Sequence, residues 1–337
     1  MKIFNQLPKE TKERIFRQVA TEKGLPVFAV EKDWWVVQVL RVVFSTDAAN
    51  ALLFKGGTSL SKAWALIDRF SEDVDLAIDR NFLGVEDAPQ TNKKLRKLRE
   101  KSRKYITEDF LQQLKMGFAS FGINDIDIQY LRTDSSSADP TQIAVNYPYV
   151  TEHTDYLLPR VLLEIGSRSM MEPSEEREIQ SLVSTIFSDK DFADSQIIVN
   201  TVLPERTFLE KVFLLHEEFQ KPKEDIRVKR MSRHIYDLEK MMQAGIDKDA
   251  LTNIELYQDI VLHRLKMTKM KDVDYKLHQP QTINPLPPDW LLEDYKKDYA
   301  VMCEEMIYGD KLSWENLNSR IRTLQVDFNS QDWKVDI

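Results

Sequence analysis

Two aspartates, Asp73 and Asp75, stand two residues apart in a segment that alternates between polar and apolar residues. Side chains two residues apart in a β-strand project from the same face, so both carboxylates share one face while Val74, Leu76 and Ile78 share the other. Carboxylate oxygens are the ligands that hard divalent cations prefer. The spacing therefore predicts half of a metal site on a strand.

A glycine-rich turn precedes these aspartates. The apolar run that ends at Phe54 is followed by Lys55 and then by Gly56-Gly57-Thr58-Ser59, which predicts a strand that enters a tight turn. Backbone amides in such a turn lie open to a phosphate, and the hydroxyls add donors. Lys62 lies one helical turn beyond Thr58, where it can either reach the same phosphates or remain a solvated helix lysine.

The order of these parts is more specific than either part alone. The chain reads GGTSLSK and then RFSEDVD, which resembles the nucleotidyltransferases of the DNA polymerase beta type. Within them it is similar to the AbiEii/AbiGii toxin family, with its pattern close to GGT-x-L-x-K followed by RFSED-x-D. A glycine pair or an Asp-x-Asp alone occurs in many ordinary turns.

The resemblance implies a nucleoside triphosphate as substrate and two Mg²⁺ ions held by carboxylates. Gly56, Gly57, Thr58 and Ser59 would bind the triphosphate, with Asp73 and Asp75 as catalytic metal ligands. A third carboxylate is expected on a neighbouring strand, and Glu164 in the segment VLLEIG is the best candidate. A lone glutamate in an apolar strand can equally well just face solvent.

The resemblance also implies two catalytic residues in later helices. Lys211 has bulky apolar neighbours on its predicted helix and would contact the triphosphate. Asp237, in the segment RHIYDL, would complete the site. The competing interpretation is a structural ion pair between the two helices. Arg69 precedes the Asp-x-Asp strand and is expected to pair with Glu72 or with the acidic centre.

By the same resemblance, the expected reaction is transfer of a nucleoside monophosphate to an acceptor hydroxyl with release of pyrophosphate. The role would be the toxin of a toxin–antitoxin or abortive-infection system, with tRNA or another RNA as acceptor and a cognate antitoxin as partner. Two alternatives stay open: a protein side chain or small molecule as acceptor, and an inactive nucleotide-binding module.

The periodicity of the chain predicts a mixed α/β (α+β) fold with a helical C-terminal domain. We expect a helical lead-in at 1–50, a nucleotidyltransferase core at 51–203 and helices at 204–337. Strands are predicted at 51–55, 73–79, 125–131, 143–150 and 160–167. Helices are predicted at 9–22, 30–45, 58–67, 91–116, 205–219, 231–244, 248–265, 290–305 and 313–324. The segment 272–288, rich in proline and polar residues, is predicted to be a loop.

The composition of the chain limits the number of domains, the disulfides and the location that we expect. A chain of 337 residues with 42% hydrophobic and 30% charged residues can fill two ordinary domains. Cys303 is the only cysteine, which excludes an intramolecular disulfide. The N-terminus has no apolar signal core, so we expect a cytoplasmic protein without a membrane span. The net charge is −8, yet residues 93–104 are strongly basic and 221–233 moderately so, which leaves an RNA partner open.

Overall fold

The computed structural model describes residues 2–71, 73–85, 89, 91–132, 138–152 and 158–337. The chain forms two compact units. The first contains residues 1–63 and 70–202, and the second contains residues 64–69 and 203–337. The segment 64–69 therefore belongs to the second unit, although it lies between two strands of the first. The three-part domain division expected from the sequence stays a prediction.

The first unit is built on a mixed sheet that has seven strands in the described residues, in the order β3-β4-β5-β2-β1-β7-β6. β2 pairs antiparallel with β1 and parallel with β5, so it lies in the interior of the sheet. The strands are β1 Leu52–Lys55, β2 Asp73–Ile78, β3 Asp127–Tyr130, β4 Thr141–Asn146, β5 Arg160–Gly166, β6 Ser174–Ile179 and β7 Ile197–Val202.

The alternation predicted for β2 is present. Val74, Leu76 and Ile78 are buried, whereas Asp73 and Asp75 are partly exposed. β5 repeats the pattern with Val161, Leu163 and Ile165 buried. Burial of one face of each strand fixes the register of the sheet, because a slip by one residue would turn the apolar side chains out of the core.

Helices accompany the sheet of the first unit, and α3 packs against β5. The basic helix begins at Asn92, where the Thr91 side chain accepts a hydrogen bond of 3.3 Å from the Lys94 amide. It continues through a π-helical turn at Ile106–Phe110 and ends later than predicted. The helices are α1 Lys2–Asn5, α2 Lys9–Lys23, α3 Val27–Val43, α4 Gly56–Lys62, α5 Asn92–Tyr105, α6 Leu111–Ser120 and α7 Leu182–Ile186.

The second unit is helical in its described residues, as predicted. One long predicted helix, 248–265, is instead two, and they meet at Asn253, whose side chain accepts a hydrogen bond of 3.0 Å from the Leu256 amide. The segment 272–288 contains short 3₁₀ turns. The helices are α8 Pro204–Glu218, α9 Ser232–Gln243, α10 Ile246–Thr252, α11 Ile254–Met267, α12 Leu292–Glu305 and α13 Trp314–Asn329.

Three further elements differ from the sequence prediction. β6 and β7 were not predicted: β6, with the sequence SEEREI, is a polar strand at the edge of the sheet and has no apolar run to reveal it. The helix predicted at 58–67 ends at Lys62, since Ala65 takes a left-handed conformation (φ 52°) that an α-helix cannot contain.

No helix in the described residues combines the length and the apolar composition needed to cross a bilayer.

Candidate functional site

The glycine turn and the Asp-x-Asp strand meet at Gly56. This residue has φ +74°, and a Cβ added to it would lie 1.9 Å from Oδ2 of Asp75. Any side chain would therefore be strained by the backbone and would also displace the carboxylate. The structure thus explains why a glycine is followed, nineteen residues later, by this aspartate.

The hydroxyls of the turn bind backbone carbonyls. Thr58 donates a hydrogen bond from Oγ1 to the carbonyl of Asp73, which joins the turn to the start of β2. Ser59 donates to the carbonyl of Gly56 at 2.9 Å. Gly57, Thr58 and Ser59 are all buried. Their predicted contacts with a phosphate stay predictions.

Lys62 is paired within the first unit. Its ammonium donates to the Asp33 carboxylate and, at 3.0 Å, to the carbonyl of Gln180. Asp33 also accepts a hydrogen bond of 2.8 Å from the Leu182 amide. The structure therefore brings Lys62 together with Asp33, which was not predicted.

Neighbouring Glu31 has a similar anchoring role. Both of its oxygens accept hydrogen bonds from the segment after β4, including 2.8 Å from the Val150 amide and 3.0 Å from the Thr151 amide. A helix was predicted at 30–45, but α3 already begins at Val27. Glu31 and Asp33 therefore lie beyond its first residues, and they hold distant segments in place.

Four polar side chains form a row across the sheet. Lys55 pairs with Asp75, Asp75 with Glu164, and Glu164 with Gln142 as opposite residues of adjacent strands. Opposite residues project from the same face, so these four, which we term the polar row, lie side by side. All four are partly exposed. Asp73 projects from the same face of β2, two residues before Asp75.

Glu164 is held by an amide. Gln142 donates from Nε2 to Oε1 of Glu164 at 2.6 Å, which fixes the carboxylate toward the face that carries Asp75. The structure therefore brings Asp73, Asp75 and Glu164 to one face of adjacent strands. This is the placement that the sequence analysis expected for Glu164, with Gln142 as an additional neighbour.

The donor set fits magnesium. Within the described residues, no three His, Cys, Asp or Glu side chains converge closely enough to hold a metal ion by themselves. Mg²⁺, however, is usually bound by one or two carboxylates together with water and substrate phosphates. Asp75 and Glu164 are adjacent, and Gly56 leaves room for the Asp75 carboxylate, so the two side chains fit this mode of Mg²⁺ binding.

The second unit contains a buried cluster of three charged residues: Arg69, Lys211 and Asp237. Asp237 on α9 is fully buried, and its Oδ1 accepts from Arg69 Nε at 2.6 Å. Its Oδ2 accepts from Arg69 Nη2 at 2.7 Å and lies 2.7 Å from Lys211 Nζ on α8. Lys211 and Asp237, both predicted site residues, are thus in direct contact, and Arg69 joins them. Glu72, the other partner considered for Arg69, lies outside the described residues.

The charges in this buried cluster perturb one another. Burial alone would raise the pKa of Asp237, but Arg69 and Lys211 outweigh it and hold that pKa well below its ordinary value. Burial lowers the pKa of Lys211, and Asp237 opposes this effect. Burial and the cations Lys211 and Arg233 also lower the pKa of the neighbouring His234 well below its ordinary value.

A family model described as the nucleotidyl transferase AbiEii toxin of a type IV toxin–antitoxin system matches residues 39–333. The chain belongs to the AbiEii nucleotidyltransferase toxin family. The match spans the glycine turn, the polar row and the buried cluster, so every predicted site residue of this AbiEii protein lies inside it.

Solved structures are similar as well. MenT4, a nucleotidyltransferase toxin from Mycobacterium tuberculosis H37Rv, aligns with a TM-score of 0.47 and 16% identity over 94% of this chain and 90% of its own. JHP933 from Helicobacter pylori aligns with a TM-score of 0.42 and 15% identity over 87% and 89%. No curated protein matches the sequence closely enough to count as a relative.

Two residues of the polar row, Lys55 and Gln142, were not predicted from the sequence. The β1–β2 register is needed to see that Lys55 lies opposite Asp75 and on the same face of the sheet. Gln142 depends on the β4–β5 register, for which the sequence carries no signal. For Arg69, which was expected to pair with Glu72 or with the acidic centre, the structure gives Asp237, a residue 168 positions away in the chain.

Proposed function

We propose that this AbiEii protein transfers a nucleoside monophosphate from a nucleoside triphosphate to an acceptor hydroxyl. The acceptor oxygen attacks the α-phosphorus, the bond to the bridging oxygen of pyrophosphate breaks, and the acceptor proton is released. The observation that supports this most strongly is the adjacency of Asp75 and Glu164 beside Gly56, in a chain of the nucleotidyltransferase family.

Each part of the site has a task in this proposal. Asp73, Asp75 and Glu164 hold divalent cations, which would stabilise charge on the triphosphate and lower the pKa of the acceptor hydroxyl. The backbone of Gly56 and Gly57 approaches the β and γ phosphates, and Lys211 adds a cation to them. Catalysis then comes mainly from orientation and from electrostatic stabilisation of the transferring phosphoryl group.

A labelling experiment tests the reaction. The protein is incubated with each α-³²P nucleoside triphosphate, Mg²⁺ and either total RNA or total protein. We expect label in RNA and release of pyrophosphate, both abolished by a chelator and by Asp75→Asn. Label in protein, or in a small molecule, would support the other acceptor class, and the absence of label in every pool would contradict the proposal.

Helix α5 supports RNA as the acceptor. It packs through Leu95 and Leu98, while its lysines and arginines are mostly directed outward. Exposed cations in a continuous run neutralise nucleic-acid phosphates and release counterions, so binding should weaken steeply with salt. The basic residues are Lys93, Lys94, Arg96, Lys97, Arg99, Lys101, Arg103 and Lys104.

Charge reversal tests this surface. Changing the exposed Lys93, Lys94, Arg96 and Lys97 to glutamate should weaken RNA labelling and reduce the salt dependence by about 0.7 log units for each lost phosphate contact. Nucleotide binding should not change. The matched control reverses four exposed lysines of the second unit: Lys266, Lys269, Lys271 and Lys276.

The outcome decides between surfaces. If the α5 variant labels RNA at the wild-type rate with an unchanged salt slope, α5 is not the acceptor surface. The basic residues between 221 and 233 then become the next surface to test. Two of them already pair with Glu218, Lys221 at 2.8 Å and Arg227 at 2.6 Å, which reduces their availability for phosphates.

A further inference from the structure

The Asp237 carboxylate forms ion pairs with two cationic side chains, Arg69 and Lys211. Three N–H donors occupy its two oxygens at 2.6–2.7 Å, and its side chain has no exposed surface. A carboxylate that binds Mg²⁺ must offer an oxygen to an ion that also keeps water and substrate ligands. Both oxygens of Asp237 are already committed to cations inside the unit.

The same surroundings oppose a role in proton transfer. A general base works best when its pKa lies near the operating pH and when it reaches the proton that it removes. Arg69 and Lys211 outweigh burial and hold the pKa of Asp237 well below its ordinary value. The carboxylate has no exposed surface, and both of its oxygens contact Arg69 or Lys211.

Lys211, by contrast, needs Asp237. Burial lowers the pKa of Lys211, and the nearby cations Arg69 and Arg233 lower it further, while Asp237 acts in the opposite direction. Val212 and Leu215, neighbours of Lys211 on its helix, are buried and apolar, and the Asp237 carboxylate at 2.7 Å favours the charged form of Lys211 and holds it in place. Asp237 therefore controls both the charge and the position of Lys211.

We propose that Asp237 is a positioning residue that holds Lys211 as a cation for the phosphates of the nucleotide, and that it contacts neither metal nor reacting atoms. This inference rests on the proposed function, because it assigns Lys211 to the triphosphate. It replaces the direct catalytic role that family resemblance suggests for Asp237.

The test separates metal binding from triphosphate binding in the full chain. Mn²⁺ affinity is measured by electron paramagnetic resonance without nucleotide, and affinity for a non-hydrolysable triphosphate with Mg²⁺ by calorimetry. Asp237→Asn should leave Mn²⁺ affinity within about twofold of wild type and weaken triphosphate binding about tenfold or more, since the held cations lose their partner. Asp75→Asn should weaken Mn²⁺ binding.

A double-mutant cycle adds a second measurement. If Asp237 acts through Lys211, then Asp237→Asn should change KM and kcat by less than about threefold in a Lys211→Gln background, because the shared interaction is already lost. The proposal would be overturned if the effects of the two substitutions on KM and kcat multiplied in the double variant. A tenfold loss of Mn²⁺ affinity in Asp237→Asn would also overturn it.

A matched control comes from the same helix and the same segment. Lys240 on α9 pairs with Asp68 at 3.2 Å, an ion pair between α9 and the segment 64–69 that does not involve Asp237. Lys240→Gln should leave both affinities unchanged. A loss of triphosphate affinity equal to that of Asp237→Asn would show a merely structural effect and would overturn the proposal.

Two further outcomes are distinguishable. If Asp237→Asn does not fold, Lys211→Gln decides: weakened triphosphate binding with unchanged Mn²⁺ affinity is expected, and unchanged triphosphate binding would overturn the proposal. If wild type binds no triphosphate and labels no acceptor, the proposed function itself fails. If wild type does both while Asp237→Asn behaves like Asp75→Asn, only this inference fails.

Discussion

The polar row of the first unit and the buried cluster of the second use carboxylates in opposite ways. Asp75 lies partly exposed on a strand, beside Glu164, and within the described residues it has no hydrogen-bond or ion-pair partner. Asp237 is fully buried and holds two cations. A carboxylate that binds a ligand must keep its oxygens accessible, whereas a buried carboxylate needs neighbouring cations to compensate its charge.

The two carboxylates therefore differ in what they contribute to the stability of the fold. Carboxylates arranged side by side repel one another without a cation, so the fold gains nothing from Asp75. The carboxylate of Asp237 contributes to the packing of α8, α9 and the segment 64–69. Substitution of Asp75 should therefore affect metal binding and transfer without a loss of stability, whereas substitution of Asp237 should lower stability as well as triphosphate binding.

The largest expected effects, on transfer rate and on unfolding free energy, come from comparing Asp75→Asn with Asp237→Asn. Asp75→Asn should lower transfer by at least about a thousandfold, because several kcal/mol of metal-derived charge stabilisation are lost, with no loss of melting temperature. Asp237→Asn should lower the unfolding free energy by about 3 kcal/mol, since it leaves Arg69 and Lys211 buried without a counter-charge. Labelling assays and calorimetric melting measure both.

An exposed carboxylate on the same sheet serves as control. Asp127 lies on β3, and Asp127→Asn should change neither quantity. If Asp75→Asn loses activity only at temperatures where it melts, the contrast between the two regions fails.

The second prediction sharpens the geometry of the polar row. Gly56→Ala should cost at least about 2 kcal/mol more than Gly24→Ala, because both residues have a left-handed backbone but only Gly56 would drive a Cβ into Asp75. Gly24 has φ +66° with open space around it, so its substitution reports backbone strain alone. Urea unfolding and labelling of both variants provide the comparison.

The expected activities differ in the same way. Gly24→Ala should transfer normally, while Gly56→Ala should lose transfer because the Asp75 carboxylate is displaced. Equal stability and equal activity of the two variants would mean that Gly56 and Asp75 are not in the contact described.

The third prediction concerns buried titratable groups of the second unit. Burial, with a smaller effect of His278, lowers the pKa of His216 to about 4. The unfolded chain therefore takes up a proton near pH 6.5, before the folded chain does. The stability due to neutral His216 is complete above pH 6.5 and is lost as the pH falls toward 4, by about 3 kcal/mol in all.

Glu217 continues this loss at lower pH. Burial alone would raise its pKa, but Arg264 and His278 outweigh burial and hold it at about 2, so its contribution is present above pH 4.5 and disappears below it. Urea unfolding from pH 7.5 to 4.5 should show a clear slope, and His216→Gln should make that slope shallower. An unchanged slope in His216→Gln would refute the assignment.

The smallest predicted effect tests the support of Glu164. Gln142→Leu removes the amide that donates to Glu164 and should weaken Mn²⁺ binding about tenfold, as is typical when a residue that orients a metal ligand is lost. Gln129→Leu is the control, since Gln129 lies exposed on β3 and donates to Asp127 instead. Equal Mn²⁺ affinities in the two variants would remove Glu164 from the metal site.

Much of the fold was predictable because local patterns encode it. The alternation in β2 and the helical periods of α8, α9 and α13 depend on residues close in sequence. β6 was missed because an edge strand needs no apolar face, and the break at Asn253 because the periodicity continues across it. The helix predicted to Ile67 was too long because Ala65 takes a left-handed conformation, and residues 64–69 belong to the second unit.

The sequence by itself determined the residue types and their spacing: a glycine turn, Asp73 and Asp75 on one strand face, and membership in a nucleotidyltransferase toxin family. Only the tertiary structure decided the partners. The β2–β5 register places Glu164 beside Asp75, and the β4–β5 register adds Gln142. Packing within the second unit brings Arg69 and Lys211 into contact with Asp237. The physical reason is that strand register and burial depend on segments far apart in the chain, whereas residue type and spacing are local.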